Sequence, residues 1–188
     1  LTQVFEEVEA NFGKLDILVN NAGIGLEEGP LIEADIDAFQ KTLAVNLNGV
    51  LFGLKYGPRH MNDGGSIVNT ASLAATMTMP EYTGYSVSKA GVVKLSQQAA
   101  VELSDRNIRV NAVCPGTTTT PMEPADSEES RLCQHLTAAG RPGTPEEQAA
   151  VFHFLASDDA SYVNAQAISV DGGWVHGLNN ALIDKLLA

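Results

Sequence analysis

The chain has 188 residues, 44% of them apolar and only 6% aromatic, and carries a formal net charge of −12 at pH 7. One domain of this length buries a sizeable core, and the aliphatic, glycine-rich make-up suits an α/β protein. The acidity argues against nucleic acid or an anionic membrane as partner, since either would be repelled.

The longest apolar runs fall far short of a bilayer span, and no signal peptide is expected. Cys114 and Cys133 are too few and too unpatterned for a disulfide framework, so a reducing, cytoplasmic setting is expected.

In chain order, Leu1, Val4, Phe5, Val8 and Phe12 fall on one stripe, which predicts an amphipathic helix over 1–12 with Gly13 as its C-cap. A chain that opens in mid-helix without Met reads as a piece of a longer protein. Asp16–Asn20 is a short apolar run that empties into Asn20-Asn21-Ala22-Gly23, the pattern of a strand buried on both faces. In an open parallel sheet the ligand crevice lies at that carboxyl end. A glycine-rich loop to Pro30 precedes one long helix, N-capped by Asp35 and carrying Ile36, Phe39, Leu43, Leu47, Val50 and Leu54 down to about His60.

Ser66–Thr70 is the second strand and delivers Ser72 at its polar end. The helix of Tyr85 and Lys89 follows and continues through Val92, Leu95 and Ala99 to Leu103. Arg109–Val113 is the third strand, with Pro115-Gly116 turning at its carboxyl end. Residues 117–144 are polar and rich in helix breakers, with a short amphipathic piece around Leu132 and Leu136. A segment this long inside a compact domain is read as a substrate lid. Thr144-Pro145-Glu146-Glu147 opens a helix to Ala156, and Gln166–Val170 is a strand ending in the turn Asp171-Gly172-Gly173. Strands alternate with helices four times, so the expected fold is a parallel sheet with helices on both faces.

Tyr85 and Lys89 are four apart and share a helix face. A free phenol, with a pKa of about 10, is a poor acid or base at neutral pH. An ammonium beside it favours the phenolate and lowers that pKa toward the working range. With the Ser72 hydroxyl holding a carbonyl oxygen, Tyr85 is placed to interconvert a ketone and an alcohol, provided a cofactor supplies the hydride. Alone, such a pair is far more often just a lysine snorkelling over a ring. A hydrolase is disfavoured: Gly84-Tyr85-Ser86-Val87-Ser88 lacks the second glycine of a nucleophile elbow and follows no strand directly. His60, His135, His153 and His176 have neither triad partners nor metal-ligand spacing, and no metal site is expected.

Asn20-Asn21-Ala22-Gly23, Asn46, Ser72, Tyr85, Lys89, Asn111, Pro115-Gly116 and Asp171-Gly172-Gly173 resemble, in order and spacing, the short-chain dehydrogenase/reductase family. The resemblance runs from Leu1 to about Val175 and implies a Rossmann-like domain acting on a secondary alcohol or ketone with NAD or NADP. It implies Tyr85 as acid/base, Ser72 as the group polarising the substrate oxygen, and Lys89 as both a tuner of Tyr85 and a ligand of the nicotinamide ribose. Asn46 is the implied fourth catalytic member, holding a water in a proton relay. Asn20, Ala22 and Gly23 are placed along the adenosine ribose, and Pro115, Gly116, Thr118 and Thr120 against the nicotinamide and its carboxamide. Tyr82, the competing tyrosine, has Ser86 rather than a lysine one turn on. For Asn20 and Asn111 a purely structural role is an equal alternative, and Asp171-Gly172-Gly173 is expected to be a structural turn.

The departure from the family is at the front: its glycine-rich pyrophosphate loop and first three strands are absent. Gly23–Gly29 is no substitute, because its spacing is wrong and Glu27 and Glu28 would repel a pyrophosphate. The chain is therefore expected to be one partial domain, residues 1–188. The Asp16–Asn20 strand becomes an apolar sheet edge, and dinucleotide binding by these residues alone is weak. The choice between NAD and NADP lies outside this sequence. The partners expected are a small alcohol or ketone and a second copy of the chain, in a dimer or tetramer. The alternative is a non-catalytic, truncated relative that keeps only an association surface.

Overall fold

The computed structural model describes residues 2–26, 29–121, 123–177 and 179–187. The expectations that rest on Leu1, Glu27 and Glu28 lie outside the described residues. Four strands, β1 (Leu15–Asn20), β2 (Met61–Thr70), β3 (Arg109–Pro115) and β4 (Ala167–Val170), form one parallel sheet in the order β1-β2-β3-β4. The sheet and its helices bear out the α/β, Rossmann-like expectation.

Alternation along each strand sorts the side chains onto two faces. On one face, Ile67, Val110, Ala112 and Cys114 pack against Val92 and Ala100 of α4 (Thr83–Glu102). On the other, Val68 and Val113 pack against Leu155 of α6 (Pro145–Ala156). Both central strands are thus buried on both faces, which is why they read as near-continuous apolar runs.

Buried polar residues pin the layers. Ser66 Oγ donates to the Leu155 carbonyl (2.8 Å), and Arg109 donates to the Leu155 and Ser157 carbonyls, so the C-terminus of α6 is tied to the middle of β2 and the start of β3. Asn111 is fully buried; its Nδ2 donates to the Val163 carbonyl (2.9 Å) and its Oδ1 accepts from the Gln166 amide (3.0 Å), which fixes the approach to β4.

The helix ends follow their sequence signals. Asp35 caps α2 (Ile36–Asn46) by accepting from the Asp37 and Ala38 amides, and Thr144 and Glu147 form a reciprocal capping box at the start of α6. Gly13, at φ +83°, closes α1 (Thr2–Phe12), with its amide on the Glu9 carbonyl. Asp171 accepts from the Gly173 and Val175 amides, and both glycines take positive φ, so this stretch is the structural turn expected of it.

Three details differ from the sequence reading. The single helix expected from Asp35 to His60 is interrupted at Leu47, giving α2 and α3 (Asn48–Tyr56); the Leu43–Leu47 and Leu47–Leu51 backbone bonds survive, so the axis is only locally disturbed. The interruption follows Asn46, whose side chain bonds across to the Ile24 backbone. β2 begins at Met61 rather than Ser66, because Met61 is fully buried and pairs with Leu15 across an irregularity in register. The segment 117–144 contains a capped helix, α5 (Glu128–Leu136), and its ends are bonded together through Thr117, Thr119 and Gly143. A further helix, α7 (Asn180–Leu187), follows β4, and Asn179 just ahead of it donates to the Gln134 and Thr137 carbonyls around the end of α5.

β1 lies at the sheet edge, with Ile17 and Val19 47% and 45% exposed, as its apolar pattern without a described outer neighbour requires. No helix of the described residues is long and apolar enough to cross a membrane.

Asn111→Ala leaves two buried backbone groups without partners. It is expected to cost about 2–4 kcal/mol of stability, measured as a lower urea midpoint with an unchanged slope.

Candidate active site

The carboxyl ends of β1, β2 and β3 open into a cavity of about 1120 Å³. Asn21 to Gly23 form one wall, Thr70 to Ala74 the floor, and Pro115 to Thr118 the opposite side. This is where the crevice of an open parallel sheet falls.

Ser72, two residues past the end of β2, is extended and caps the short helical turn Leu73–Ala75, its Oγ accepting from the Ala74 amide at 3.1 Å. That bond fixes the hydroxyl and leaves its proton to donate, and its partner is the side chain of Tyr85. Tyr85 sits in the first turn of α4, with Lys89 one turn on. The Lys89 Nζ donates to the Thr70 carbonyl at 2.9 Å and lies 5.6 Å from the Tyr85 ring centroid. Ser72, Tyr85 and Lys89, distant in sequence or one turn apart, therefore meet at one corner of the cavity.

Electrostatics in this free site differ from the sequence argument. Burial raises the Tyr85 pKa above its ordinary 10.0, the hydrogen bond from Ser72 pulls it down, and the Glu129 carboxylate pushes it further up; the balance is upward. The expected lowering by Lys89 is not what the free protein shows. The ammonium is directed at a backbone carbonyl rather than at the phenol oxygen, so desolvation wins. Lys89 is only 3% exposed, and burial pushes its own pKa down to about 8.

The other expected site residues divide. Ala22, Gly23, Pro115, Gly116, Thr118 and Thr120 all line the cavity. Gly116 is required by close approach, since a Cβ there would stand 2.6 Å from the Asp171 Cα. Asn20 does not line the cavity: its Nδ2 donates to Asn69 Oδ1, Asn69 Nδ2 donates to Ser96 Oγ, and its amide packs on Gly53 of α3. The structural alternative holds for Asn20, as for Asn111. Asn46 is fully buried, with Oδ1 accepting from the Ile24 amide and Nδ2 donating to the Ile24 carbonyl and Ser88 Oγ. It clamps the loop after β1 onto α2 and α4, and its side chain has no share in the cavity wall.

Among the wall residues that the sequence does not single out for the site are Tyr82, Glu123, Glu129 and Gln148. Tyr82 was set aside as a competing acid/base, yet it packs edge-to-face on Tyr85 at 6.2 Å between centroids. Gln148 Nε2 donates to Thr118 Oγ1 and the Val170 carbonyl, while its buried Oε1 has no hydrogen-bond partner. None of these carries a local signal, because the start of α4, the segment 117–144 and α6 come together at the cavity only through the fold.

A family model described as enoyl-(acyl carrier protein) reductase matches residues 1–175. The chain belongs to the short-chain dehydrogenase/reductase family. It is 39% identical over 171 residues to 3beta-hydroxysteroid dehydrogenase 2 of Eggerthella lenta, covering 87% of this chain and 66% of that protein. Among solved structures, a short-chain dehydrogenase/reductase from Serratia marcescens superposes with a TM-score of 0.87 at 38% identity, over 92% of this chain and 71% of that one. A short-chain dehydrogenase from Burkholderia cenocepacia in complex with NADP gives 0.87 at 34% identity, over 93% and 71%. The chain thus spans about two thirds of the length of the members of the family it matches.

The residues present fit the family's dinucleotide at its nicotinamide end. Lys89 has three donors, one of them engaged, suited to the hydroxyls of a ribose. Gln148 leaves an acceptor unpartnered beside Thr118.

Below pH 8, Lys89 is charged in folded and unfolded chains alike, and its burial penalty of about 3 kcal/mol stands in full. Between about 8 and 10.5 the folded lysine loses its proton first and the penalty is relieved. The stability of the wild type relative to Lys89→Met therefore rises with pH through that window. Urea midpoints of the two proteins from about pH 7 to 11 check this.

Proposed function

We propose that this chain carries the catalytic centre of an NAD(P)-dependent oxidoreductase that interconverts a secondary alcohol and a ketone. The observation that carries the reading is the hydrogen-bonded Ser72 and Tyr85 pair at the carboxyl edge of the sheet, with the buried Lys89 ammonium against the same ring. A bound nicotinamide supplies the hydride transfer.

Tyr85 is the acid/base: it gives its phenolic proton to the carbonyl oxygen in reduction and takes the hydroxyl proton in oxidation. Ser72 turns its O–H from Tyr85 to the substrate oxygen, stabilising the negative charge that grows there. Lys89 holds the ribose hydroxyls and, with its charge in the low-dielectric floor, brings the raised phenol pKa back toward the working range as the site fills. Ala22, Gly23, Pro115, Gly116, Thr118 and Thr120 line the dinucleotide's path. Asn46 serves as a positioning residue, holding the Ile24 loop to α4 through Ser88. Segment 117–144 acts as the substrate lid, closing over the oxygen between Ser72 and Tyr85. Exposed Leu51 and Phe52 on α3 and Val87 on α4 support a homo-oligomer.

The non-catalytic alternative draws no support from the site, where the expected proton donor and its hydroxyl partner meet, nor from the relatives, which are named as dehydrogenases and reductases.

Tyr85→Phe keeps the ring and removes the transferable proton. The expected loss in kcat/KM is about a thousandfold, equivalent to about 4 kcal/mol of transition-state stabilisation. Absorbance at the reduced-nicotinamide band, with NADH and NADPH and a panel of ketones, measures it. Retention of most of the turnover by this variant would sink the assignment.

A further inference from the structure

The substrate side of the cavity gathers acceptors. Glu129, in the first turn of α5, reaches the wall, its Oε1 accepting from Thr117 Oγ1 at 2.5 Å with the Tyr82 hydroxyl as a second partner. Tyr82 lies edge-to-face on Tyr85, so the carboxylate stands one ring away from the proposed acid/base, near enough for its charge to act on it. Glu123 lines the same wall and its charge acts on both Tyr82 and Glu129.

The neighbouring cations face elsewhere. Arg141 is paired with Glu147 at 2.6 Å, and Arg131 with Glu128 at 4.0 Å. Lys89 is the single basic side chain of the described wall, and it bonds the Thr70 carbonyl. Across the cavity, Gln148, 9% exposed, adds an amide oxygen without a hydrogen-bond partner.

A half-buried carboxylate with no cation opposite is costly. Two hydroxyl donors satisfy part of its capacity, but an ionised carboxylate offers about four acceptor sites. A substrate bringing its own cation fills the remainder, whereas a substrate carboxylate meets Glu129 and Glu123 as like charges.

Building on the oxidoreductase reading, we propose that Glu129 determines specificity by selecting secondary alcohols and ketones that carry an ammonium group a few bonds from the reacting carbon, and by rejecting carboxylates. Glu129 binds the ammonium, Tyr82 orients the carboxylate, and the reacting oxygen lies between Ser72 and Tyr85.

The test compares 1-amino-2-propanol, 2-butanol and 3-hydroxybutyrate in the wild type and in Glu129→Gln, whose amide oxygen can still accept from Thr117. In the variant, kcat/KM for the amino alcohol relative to that for 2-butanol is expected to fall about tenfold or more, and that for the carboxylate relative to 2-butanol to rise, the ratios cancelling the change that loss of the Glu129 charge makes at Tyr85 itself. An equal loss across all three, or a wild type that prefers the carboxylate, would overturn the proposal. If no alcohol is turned over with either cofactor, the oxidoreductase reading fails separately, and calorimetry then decides. Heat of binding of 1-amino-2-propanol that is present in the wild type and lost in the variant sustains the role of Glu129; equal heats, or none, overturn it.

Discussion

The hydrogen bond from the Lys89 ammonium to the Thr70 carbonyl joins the first turns of α4 to the last residue of β2. An ammonium 3% exposed needs an oxygen partner, because burial without one costs several kcal/mol. The Thr70 carbonyl, at the carboxyl end of a parallel strand, supplies it. Meeting that requirement sets α4 against the sheet so that Tyr85, one turn earlier, comes over Ser72, two residues beyond Thr70. The lysine's first role is thus geometric, and its influence on the phenol is carried from that position.

The surrounding hydrogen bonds serve the same edge. Asn20, Asn69 and Ser96 run as a side-chain chain from β1 through β2 to α4. Asn46 fastens the loop after β1 to α2 and α4. On the opposite face, Arg109 and Ser66 hold α6 by its last carbonyls, which sets Gln148 against Thr118. Asn20, Asn46, Ser66, Asn69 and Arg109 are each engaged with a neighbour in another element, so sheet and helices cannot slide without exposing unpaired groups. A wall of fixed dipoles is what a site needs in order to act on a growing charge without reorganising.

The segment 117–144, proposed above as a lid, forms a separate part of the cavity wall. Its ends are bonded to each other through Thr117, Thr119 and Gly143, while α5 between them brings Glu129 to the cavity. In the proposed function the sheet edge holds the acid/base pair, and the segment beyond it presents the side chains that would meet the rest of a substrate.

Much of the fold was legible because its signals are local. Near-continuous apolar runs marked the central strands, since each is buried on both faces. Asp35, Thr144 and Gly13 marked helix ends by chemistry confined to a few residues. Tyr85 and Lys89 were legible as a pair because one helical turn brings them together, and Ser72 through its place after β2. Three things only the tertiary structure decided. Asn20 and Asn46 turned from the cavity because their amides found partners in other layers; Tyr82, Glu129 and Gln148 joined it because α4, α5 and α6 converge there. The Tyr85 pKa rose because burial, a property of the whole fold, outweighs the hydrogen bond from Ser72, while the Lys89 ammonium is turned to a backbone carbonyl. Sequence determines what a residue offers within its own turn or strand; which atoms answer it, and how dry the place is, depend on contacts between segments far apart in the chain.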